Sequence, residues 1–379
     1  MAAEAGQPQR LRGLANVINI SSSASLFVAG VKSQTLHTAQ WGLDRIDQRN
    51  LPLDGIHKFG TSNSTGTGRG VTIYTLDSGV RKTHQEFMLW NSGDTRASYG
   101  TDFVNNSNSA ADCEGHGTHV ASTAVGRAVG VAKEARIVAV RVLDCAGSGS
   151  VSSVVAGLDW VATNAQLPAV VTLSLGITKG SNSQALEQAV TSLIQNFNVT
   201  VVAASGNTDG DSCQEAPADV RSSIAVGASD LTFKFNASEG TQTGNEPIYP
   251  YSNTGACLDI FAPGVNILAA CGSANRCDTL NDTAYAWASG TSMAVPHVAG
   301  VAAVYLSNNP TATPDQVKAA IIQASTPDVL DSDSFWPGTP NRLLYGDLTA
   351  PSFPASSSSA APAPALPPSD SRVIEASHP

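Results

Sequence analysis

The sequence predicts an α/β fold, in which a doubly wound and mostly parallel central sheet carries helices on both faces. Two observations lead to this fold class. Short apolar runs typical of buried strands alternate along the chain with longer segments of helical periodicity. The repeated order strand, helix, strand is typical of a parallel sheet. Because ligands bind beyond the carboxyl ends of such strands, we expect the functional side chains to lie there.

The predicted strands are nearly continuous apolar runs, as expected where both faces of a sheet are covered. In chain order they are VTIYTLD at 71–77, ARIVAVRVL at 135–143, AVVTLSL at 169–175, VTVVAAS at 199–205 and SIAVGAS at 223–229. The predicted helices lie at 117–126, 151–165, 183–197, 291–308 and 314–324. The last of these has a clear start, since Thr313 is a favoured cap and Pro314 suits the first helical position.

Composition favours one large folded domain or two ordinary ones over a disordered chain. Apolar residues make up 42% of the 379 residues and charged residues 14%, which allows a sizeable core. The formal net charge of −10 argues against a nucleic-acid partner, which would favour a basic face. No run of about 18 apolar residues is present, so no transmembrane helix and no membrane partner are predicted.

Composition also divides the chain into three parts. Residues 349–379 are rich in Pro, Ala and Ser, cannot bury a core and are interpreted as a disordered tail or linker. Residues 39–348 hold the predicted strands and helices and form the folded domain. Residues 1–38 are interpreted as an N-terminal segment, in which we find no convincing secretory leader.

The cysteines indicate an oxidising compartment. Their number is even, and no Cys-x-x-Cys pair suggests zinc, so three disulfides are expected with fifteen connectivities open. The cysteines are Cys113, Cys145, Cys213, Cys257, Cys271 and Cys277. Asn-x-Ser/Thr sequons point the same way, although a chain rich in Ser and Thr also produces them by chance. We therefore expect a secreted protein.

Three short contexts carry the side chains of a nucleophilic site. Asp77 ends the first predicted strand, His116 opens a helix within GHGTHVAS, and Ser292 opens another within GTSMAVPH. A serine hydroxyl becomes a good nucleophile when a histidine takes its proton, and a carboxylate orients that histidine and stabilises its charged form. At a helix start, Ser292 would also have backbone N–H groups near a developing oxyanion. Asn207, just after the strand at 199–205, could supply a second donor.

Each of these residues taken alone has a simpler interpretation. Asp77 could form a turn, Ser292 could cap its helix, and Asn207 could shape a Gly-Asn turn. His116 and His119, three positions apart on one helix, could be a structural pair or metal ligands. The presence of Asp77, His116, Ser292 and Asn207 in one chain, each in such a context, is what favours a catalytic site.

The order Asp, His, Ser within TLDSGV, GHGTHVA and GTSMAVPHVAG resembles the subtilisin-like serine proteases. From about Trp41 to Tyr345 the chain is similar to their proteinase K-like branch, through WGLDRIDQRNLPLD (41–54), GVAKEARIVAVRVLDCAGSG (130–149) and LDIFAPG (258–264). The resemblance implies an endopeptidase that hydrolyses peptide bonds through an acyl-enzyme. Ser292 would be the nucleophile, His116 the general base and then acid, and Asp77 the carboxylate that orients it. Asn207 would donate to the oxyanion.

The resemblance also implies where a peptide would bind. The substrate backbone would pair as a strand between two segments, with pockets giving selectivity. These segments are Ser174, Leu175 and Gly176 on one side and Gly147, Ser148 and Gly149 on the other. Ala204 and Gly206 would help to wall the first pocket, and their small size favours a large apolar side chain at P1.

Three residues depart from the family pattern. Val295 stands where Thr or Ser is usual, one turn past Ser292, and is expected to be tolerated. Ser205 replaces a common alanine and could narrow or polarise the first pocket. Glu114 stands two residues before His116, where Asn is common. It either adds negative charge near the second subsite and raises the pKa of the base, or is simply solvated.

In relatives with this cysteine pattern the pairs would be Cys113–Cys145 and Cys213–Cys257, which leaves Cys271 and Cys277 for each other. The resemblance implies structural calcium and no cofactor for the chemistry. One calcium site would lie in DRIDQRNLPLD, whose oxygen-rich side chains suit a hard cation. Its expected ligands are Asp44, Asp47, Gln48 and Asp54, for which helix capping is the alternative role. A second site would use Asp259 with the backbone carbonyls of Arg221 and Ser223.

Three functions are compared on these observations. An active secreted endopeptidase is the first hypothesis, and a catalytically silent protein-binding member of the same fold is the second. An esterase of the α/β-hydrolase type is disfavoured, since it requires Gly-x-Ser-x-Gly and the order Ser, Asp, His. The expected partners are protein substrates and an inhibitory pro-region longer than residues 1–38. We expect a monomer whose mature domain begins near residues 39–41, with the signal peptide missing from this sequence.

Overall fold

The structure is a computed structural model that describes residues 26–28, 31–36, 40–59, 66–89, 92–231, 235–236, 241–242, 246–274, 276–277 and 280–348. The predicted tail at 349–379 lies outside the described residues, as does most of the predicted segment 1–38. In the part of the chain that is described, no helix is both long and apolar enough to span a membrane.

The helices follow the predicted order, and a short one precedes them. The described α-helices are Trp41–Ile46 (α1), His116–Val125 (α2), Val151–Asn164 (α3), Ser183–Phe197 (α4), Thr291–Asn308 (α5) and Pro314–Ala324 (α6). Short 3₁₀ turns lie at Gln85–Phe87 and Ser212–Gln214. Helix α6 begins as predicted, because the Thr313 side chain and Gln316 form a capping box around its first turn.

The described strands are short. They are Leu26–Val28 (β1), Val31–Thr35 (β2), Ile56–Phe59 (β3), Thr72–Asp77 (β4), Ala97–Asp102 (β5), Arg136–Arg141 (β6), Ala169–Leu173 (β7), Ile177–Thr178 (β8), Thr200–Ala204 (β9), Glu215–Ala216 (β10), Ile224–Ser229 (β11), Phe235–Asn236 (β12), Thr241–Gln242 (β13), Ile260–Pro263 (β14), Ile267–Ala270 (β15), Tyr285–Ala288 (β16), Thr326–Pro327 (β17) and Arg342–Leu343 (β18).

Nine of these strands form the central sheet, in the order β17-β18-β14-β11-β9-β7-β4-β6-β5. All neighbouring pairs except β17 and β18 are parallel. The five predicted strands are β4, β6, β7, β9 and β11, so the α/β prediction is confirmed. The predicted strand list omitted β5, because its sequence ASYGTD is largely polar and only its two ends are buried.

Alternate residues of the central strands pack into two separate cores. Ile73 of β4 belongs to the core under α2, α5 and α6, whereas Tyr74 and Leu76 belong to the core under α3 and α4. This alternation is what a strand covered on both faces requires, because successive side chains point to opposite sides. Helices therefore cover both faces, as predicted.

The described part of the predicted N-terminal segment is attached to the domain. Strands β1 and β2 pair with each other, and β2 pairs with β3 of the folded domain. The Leu36 N–H donates to the Gly55 carbonyl at 2.8 Å, and the Gln34 amide donates to the Ala128 carbonyl at 3.1 Å. The domain boundary near residue 39 stays a prediction, but residues just before it add a strand to this small sheet.

Candidate active site

Asp77 and His116 meet at the carboxyl end of the sheet. Strand β4 ends at Asp77, helix α2 begins at His116, and the His116 Nδ1 lies 2.9 Å from each carboxylate oxygen of Asp77. Both side chains are buried. Burial alone lowers the pKa of His116, but the charge and hydrogen bonds of Asp77 outweigh burial and raise the pKa above its ordinary value. The carboxylate thus stabilises the imidazolium and holds Nδ1.

Asp112 builds the start of the helix that carries His116. Its Oδ1 accepts hydrogen bonds from the N–H groups of Glu114 and Gly115 at 3.0 and 2.8 Å, and its Oδ2 accepts from Thr118 N–H at 3.0 Å. Because the first N–H groups of a helix have no intrahelical acceptor, this carboxylate supplies what the helix lacks. The sequence interpretation missed Asp112. Its position four residues before His116 is the signal that could have found it.

Glu114 is a second carboxylate at the same helix start. Its Oε2 accepts a hydrogen bond from the backbone N–H of His116 at 2.6 Å, and its Oε1 forms an ion pair with Arg276. Glu114 is 8% exposed, so the alternative of a solvated glutamate is wrong. Its charge contributes to the raised pKa of His116, whereas Arg276 works in the opposite direction.

Ser292 lies in the first turn of α5, after the left-handed Gly290. Its hydroxyl donates to the Ser174 carbonyl at 3.2 Å, and the Ser174 hydroxyl donates to the Ser292 carbonyl at 3.0 Å. Ser174 directly follows β7. Because Thr75 of β4 pairs with Thr172 of β7, Asp77 and Ser174 lie at the same end of adjacent strands.

Pro296 explains why Ser174 reaches the Ser292 carbonyl. It occupies the sixth position of α5, beyond the first turn. In a regular helix the N–H of residue 296 would bond to the Ser292 carbonyl, and proline has none. The Ser174 hydroxyl takes over that bond. Val295, the residue before it, is fully buried in the core beneath α5, which suits an apolar side chain.

Asn207 is fixed beside Ser292 by its amide oxygen. The Asn207 Oδ1 accepts hydrogen bonds from the Thr291 N–H at 2.8 Å and from the Thr291 hydroxyl at 3.1 Å. Two donors on the oxygen orient the amide, so that the Nδ2 group is the end left for another acceptor. Asn207 follows β9, which pairs with β7, and the structure thereby brings it next to the residue that precedes Ser292.

The two expected substrate-binding segments lie near different site residues: Ser174 bonds to Ser292, and Gly147 lies close to the Glu114 side chain. Ser174 and Leu175 are buried, and Leu175 packs into the core under α3 and α4. On the other side, Gly147 has a left-handed backbone, with φ of +77°, and a side chain at Gly149 would clash with the Val142 carbonyl. Gly176 lies against Ala216, which leaves little room for a side chain there.

Ser205 does not act on the first pocket as its sequence suggested. It is fully buried, and its hydroxyl donates to the backbone carbonyl of Asn253 at 3.0 Å. The expectation that Ser205 narrows or polarises the pocket is therefore wrong, because its hydroxyl is buried and bonded to the Asn253 carbonyl. Its neighbours Ala204 and Gly206 are small, and Ala204 is 6% exposed.

The two other histidines of these motifs are buried and neutral. His119 Nε2 lies 3.0 Å from the Ile267 carbonyl, and burial lowers its pKa to about 3. His297 Nδ1 lies 2.9 Å from the Met293 carbonyl, and burial lowers its pKa to about 4. Both rings bond to backbone carbonyls inside the fold, as structural histidines do. No group of three or more His, Cys, Asp or Glu side chains among the described residues is arranged to hold a metal ion.

Oxygen atoms without partners mark the expected calcium loop. Asp44 Oδ1 and Asp47 Oδ1 are buried and accept no hydrogen bond within the described residues. Burial raises the pKa of Asp44, and it raises that of Asp47 to about 7. By contrast, Asp54 pairs with Lys58 at 3.0 Å, and the Gln48 side-chain oxygen accepts the Asp54 N–H at 3.1 Å.

The structure contradicts the second expected calcium site. The Lys318 ammonium lies 2.8 Å from Asp259 Oδ2, 2.8 Å from the Arg221 carbonyl and 2.7 Å from the Ser223 carbonyl. These are the three oxygens that were assigned to the cation. A lysine side chain from α6 stands where the ion was expected, so Asp259 is corrected to a partner of Lys318.

The three disulfides implied by the resemblance are present. Cys113 is bonded to Cys145, Cys213 to Cys257 and Cys271 to Cys277. The first bridge starts beside Glu114, and the third closes the short loop that carries Arg276. Within that loop the Ser273 hydroxyl donates to the Cys113 carbonyl at 2.9 Å, so the two bridged segments lie against each other.

Comparisons with known proteins agree with this architecture. The model of the subtilase family matches residues 68–346. An extracellular serine proteinase from Thermus sp. (strain Rt41A) is 47% identical over 81% of this chain and 66% of its own length. The alkaline serine exoprotease A of Vibrio alginolyticus is 46% identical over 81% of this chain and 50% of its own length. This chain thus spans only about half to two thirds of these relatives.

A solved structure agrees with the fold as well. The crystal structure of a cold adapted subtilisin-like serine proteinase superposes with a TM-score of 0.68 at 43% identity, covering 81% of this chain and 97% of that one. The predicted family is confirmed, whereas the assignment to its proteinase K-like branch stays a prediction. Since the family model matches most of the described domain, the chain belongs to the subtilase family.

Proposed function

We propose that the protein is a serine endopeptidase in which Ser292 is the nucleophile, His116 the general base and then acid, and Asp77 the carboxylate that orients it. One observation carries the proposal: the buried His116 Nδ1 is held at 2.9 Å by both oxygens of the buried Asp77. This contact fixes the tautomer with Nε2 as proton acceptor and favours the charged ring once Ser292 gives up its proton. In such sites the carboxylate raises the basicity of the ring.

The Ser292 hydroxyl would change partners during the reaction. Its present acceptor is the Ser174 carbonyl. A bound peptide would pair with the backbone of residues 174–176, and the hydroxyl would then turn to His116 Nε2. Hydrogen bonds at catalytic sites often tighten only with substrate, so the resting contact with Ser174 is compatible with this role. After acylation, the protonated His116 would donate to the leaving amine.

Asn207 and the Ser292 backbone N–H would stabilise the oxyanion. The Asn207 amide is oriented by two hydrogen bonds from Thr291, which supports Nδ2 as the donor. The second donor lies at the start of α5, where helix geometry leaves N–H groups without intrahelical acceptors. Loss of one such donor costs about 10²- to 10³-fold in kcat.

We further propose that the substrate backbone lies between residues 174–176 and 147–149, with a large apolar residue at P1. Leu175 supports this, since its buried side chain leaves the segment to present main-chain groups, and Ala204 and Gly206 leave space at the first pocket. Cleavage profiling on a peptide library is the measurement. Cleavage after small or charged residues alone would contradict the P1 assignment.

A fluorophosphonate probe tests the nucleophile and separates the enzyme from a silent binding protein. We expect the probe to label the wild-type chain and not Ser292→Ala, while labelling of the control Ser307→Ala, a hydroxyl near the far end of α5, stays unchanged. Internal cleavage of a folded protein substrate, followed by mass spectrometry, would then identify an endopeptidase. No labelling of the wild-type chain would favour the binding protein.

We also propose one structural calcium ion in the segment 44–54. The two orphaned carboxylate oxygens of Asp44 and Asp47 support it, since a buried carboxylate needs a proton or a cation. Asp54 and Gln48 would bind the ion only if Asp54 left its ion pair with Lys58 and the Gln48 oxygen left the Asp54 N–H. Calcium would act on stability and not on the chemistry.

Calcium titration of the melting temperature tests that ion. In a Ser292→Ala background, which prevents autolysis, calcium should raise Tm saturably, and Asp44→Asn with Asp47→Asn should remove the effect. At a free calcium concentration of 100 times Kd, binding adds about 2.7 kcal/mol to the free energy of unfolding. Because the pKa of Asp47 is about 7, protons compete with the ion at lower pH, and the effect should be larger at pH values above 7. An equal rise in the variant would refute the site.

We propose secretion as well, on the three disulfides among the described residues and on a relative named as extracellular. Mass spectrometry of culture supernatant and cell lysate is the test, and retention of all the protein in the lysate would contradict it.

A further inference from the structure

The loop that carries Asn207 is bonded to Asn253 through both its main chain and its side chain, and the Asp209 N–H of this loop also donates to the Tyr251 carbonyl at 2.9 Å. Asn253 lies before β14, 1% exposed, and its backbone N–H donates to the Gly206 carbonyl at 3.0 Å. Its backbone carbonyl accepts the Ser205 hydroxyl at 3.0 Å. The two residues immediately before Asn207 are therefore bonded to the main chain of Asn253.

The side chain of Asn253 holds the residues after Asn207. Its Oδ1 accepts three hydrogen bonds, each of 2.9 Å, from the Thr208 N–H, the Thr208 hydroxyl and the Gly210 N–H. A carboxamide oxygen with three donors is fully used, and it satisfies backbone groups in a segment that has neither helix nor sheet partners.

The loop needs such support because its backbone is unusual. Gly206 and Asp209 both have left-handed conformations, with φ of +104° and +54°. For Asp209 this costs free energy that surrounding bonds must offset. A Cβ at position 206 would lie 2.3 Å from Asn253 Nδ2, so the two residues are in direct contact.

We propose that Asn253 is a positioning residue: it holds the loop so that the Asn207 amide can donate a hydrogen bond to the oxyanion. The inference rests on the proposed function, because it assigns Asn253 a role only through Asn207. Asn253 bonds to residues 205, 206, 208 and 210 and so fixes both ends of the turn, while Thr291 fixes the amide itself. Thr291 sets which way the amide faces, and Asn253 sets where the turn places it.

The effect of losing Asn253 should appear in kcat. A donor displaced by a fraction of an ångström still lets substrate bind, but it stabilises the transition state less. We expect Asn253→Ala to lower kcat about 10- to 100-fold with KM nearly unchanged, since a displacement of about 1 Å costs up to about 10²-fold. Thr208→Val, which removes only one of the three bonds, should lower kcat by a few fold and keeps the proposal testable if Asn253→Ala does not fold.

A double-mutant cycle separates positioning from general loss of stability. In an Asn207→Ala background, Asn253→Ala and Thr208→Val should have no further effect on kcat, because the donor that they position is gone. Asn341→Ala is the matched control: Asn341 also bonds a loop backbone, at Leu330, with its amide. It should lower Tm while kcat stays at the wild-type value.

The outcomes distinguish the two proposals. An unchanged kcat in Asn207→Ala would overturn the oxyanion role itself. A reduced kcat in Asn207→Ala, with unchanged kcat in the folded Asn253→Ala and Thr208→Val variants, would overturn only the inference about Asn253. Equal losses with and without Asn207 would likewise overturn it, since Asn253 would then act by another route.

Discussion

Four charged or titratable side chains surround the ring of His116, the proposed general base. Asp77 comes from β4, Glu114 from the loop before α2, Arg276 from the loop closed by Cys271 and Cys277, and His119 from α2 itself. The carboxylates raise the pKa of His116, and Arg276 lowers it. His119 stays neutral because burial lowers its pKa to about 3. Glu114 and Arg276 are therefore the charged neighbours whose replacement can shift the pKa of His116 while Asp77 is kept.

Replacing these two residues should move the pH profile in opposite directions. A general base must be neutral, so kcat/KM rises with pH through the pKa of His116. Arg276→Gln removes a positive charge and raises that pKa, which moves the rise to higher pH. Glu114→Gln removes a negative charge and moves the rise to lower pH. The measurement is kcat/KM against pH for both variants and the double variant, which should lie between them.

A distant pair supplies the control for that experiment. Arg69, which is 72% exposed, pairs with Glu134 at 3.1 Å, and Arg69→Gln should leave the pH profile of kcat/KM unchanged. Shifts in the same direction for Arg276→Gln and Glu114→Gln would show that the charges do not act on His116 as described.

At the scale of elements, one side chain of α6 joins the helix to the sheet. The Lys318 ammonium bridges the Asp259 carboxylate, before β14, to the carbonyls of Arg221 and Ser223, before β11. Asp259 also accepts the Ala225 N–H at 2.9 Å. An ammonium with three oxygen acceptors satisfies all its donors and cross-links three segments.

Lys318→Met should therefore destabilise the fold and create a need for cations. Three oxygens lose their donor, so the free energy of unfolding should fall by about 1–3 kcal/mol. Added calcium should raise Tm more in this variant than in the wild-type chain, because the vacated oxygens suit a hard cation. Both chains would carry Ser292→Ala and the unchanged segment 44–54.

Lys179→Met is the control for Lys318→Met, since Lys179 pairs with Asp219 at 2.7 Å but is 46% exposed, and its ammonium bonds to no backbone carbonyl of the described residues. It should have the smaller effect on the free energy of unfolding and no added response to calcium. If Lys318→Met lowers the free energy of unfolding no more than Lys179→Met does, the stabilising role of the Lys318 cross-link is contradicted.

At the scale of the whole molecule, the disulfides restrict the unfolded chain to different extents. Cys213–Cys257 spans 44 positions, and Cys271–Cys277 spans 6. In the chain-entropy account, stabilisation grows with the logarithm of the loop length, which favours the longer bridge by about 1.8 kcal/mol.

Removing each bridge as a double alanine variant tests this difference. In the Ser292→Ala background, denaturant unfolding should give a larger loss of free energy for Cys213→Ala with Cys257→Ala than for Cys271→Ala with Cys277→Ala. Wild-type cysteines in the same background are the reference. A larger loss for the short bridge would mean that folded-state contacts of the 271–277 loop dominate.

Local sequence by itself determined the order of the main strands and helices and identified the proposed site residues. Apolar runs set the central strands because both of their faces are buried, and the family motifs placed Asp77, His116 and Ser292 at strand and helix ends. Only the tertiary structure decided which side chains meet over long separations. Lys318 with Asp259, Arg276 with Glu114, and Asn253 with the residues that flank Asn207 are contacts between residues 43 to 162 positions apart. No local pattern encodes them, because such contacts depend on how separate elements pack and on the rotamers that packing permits.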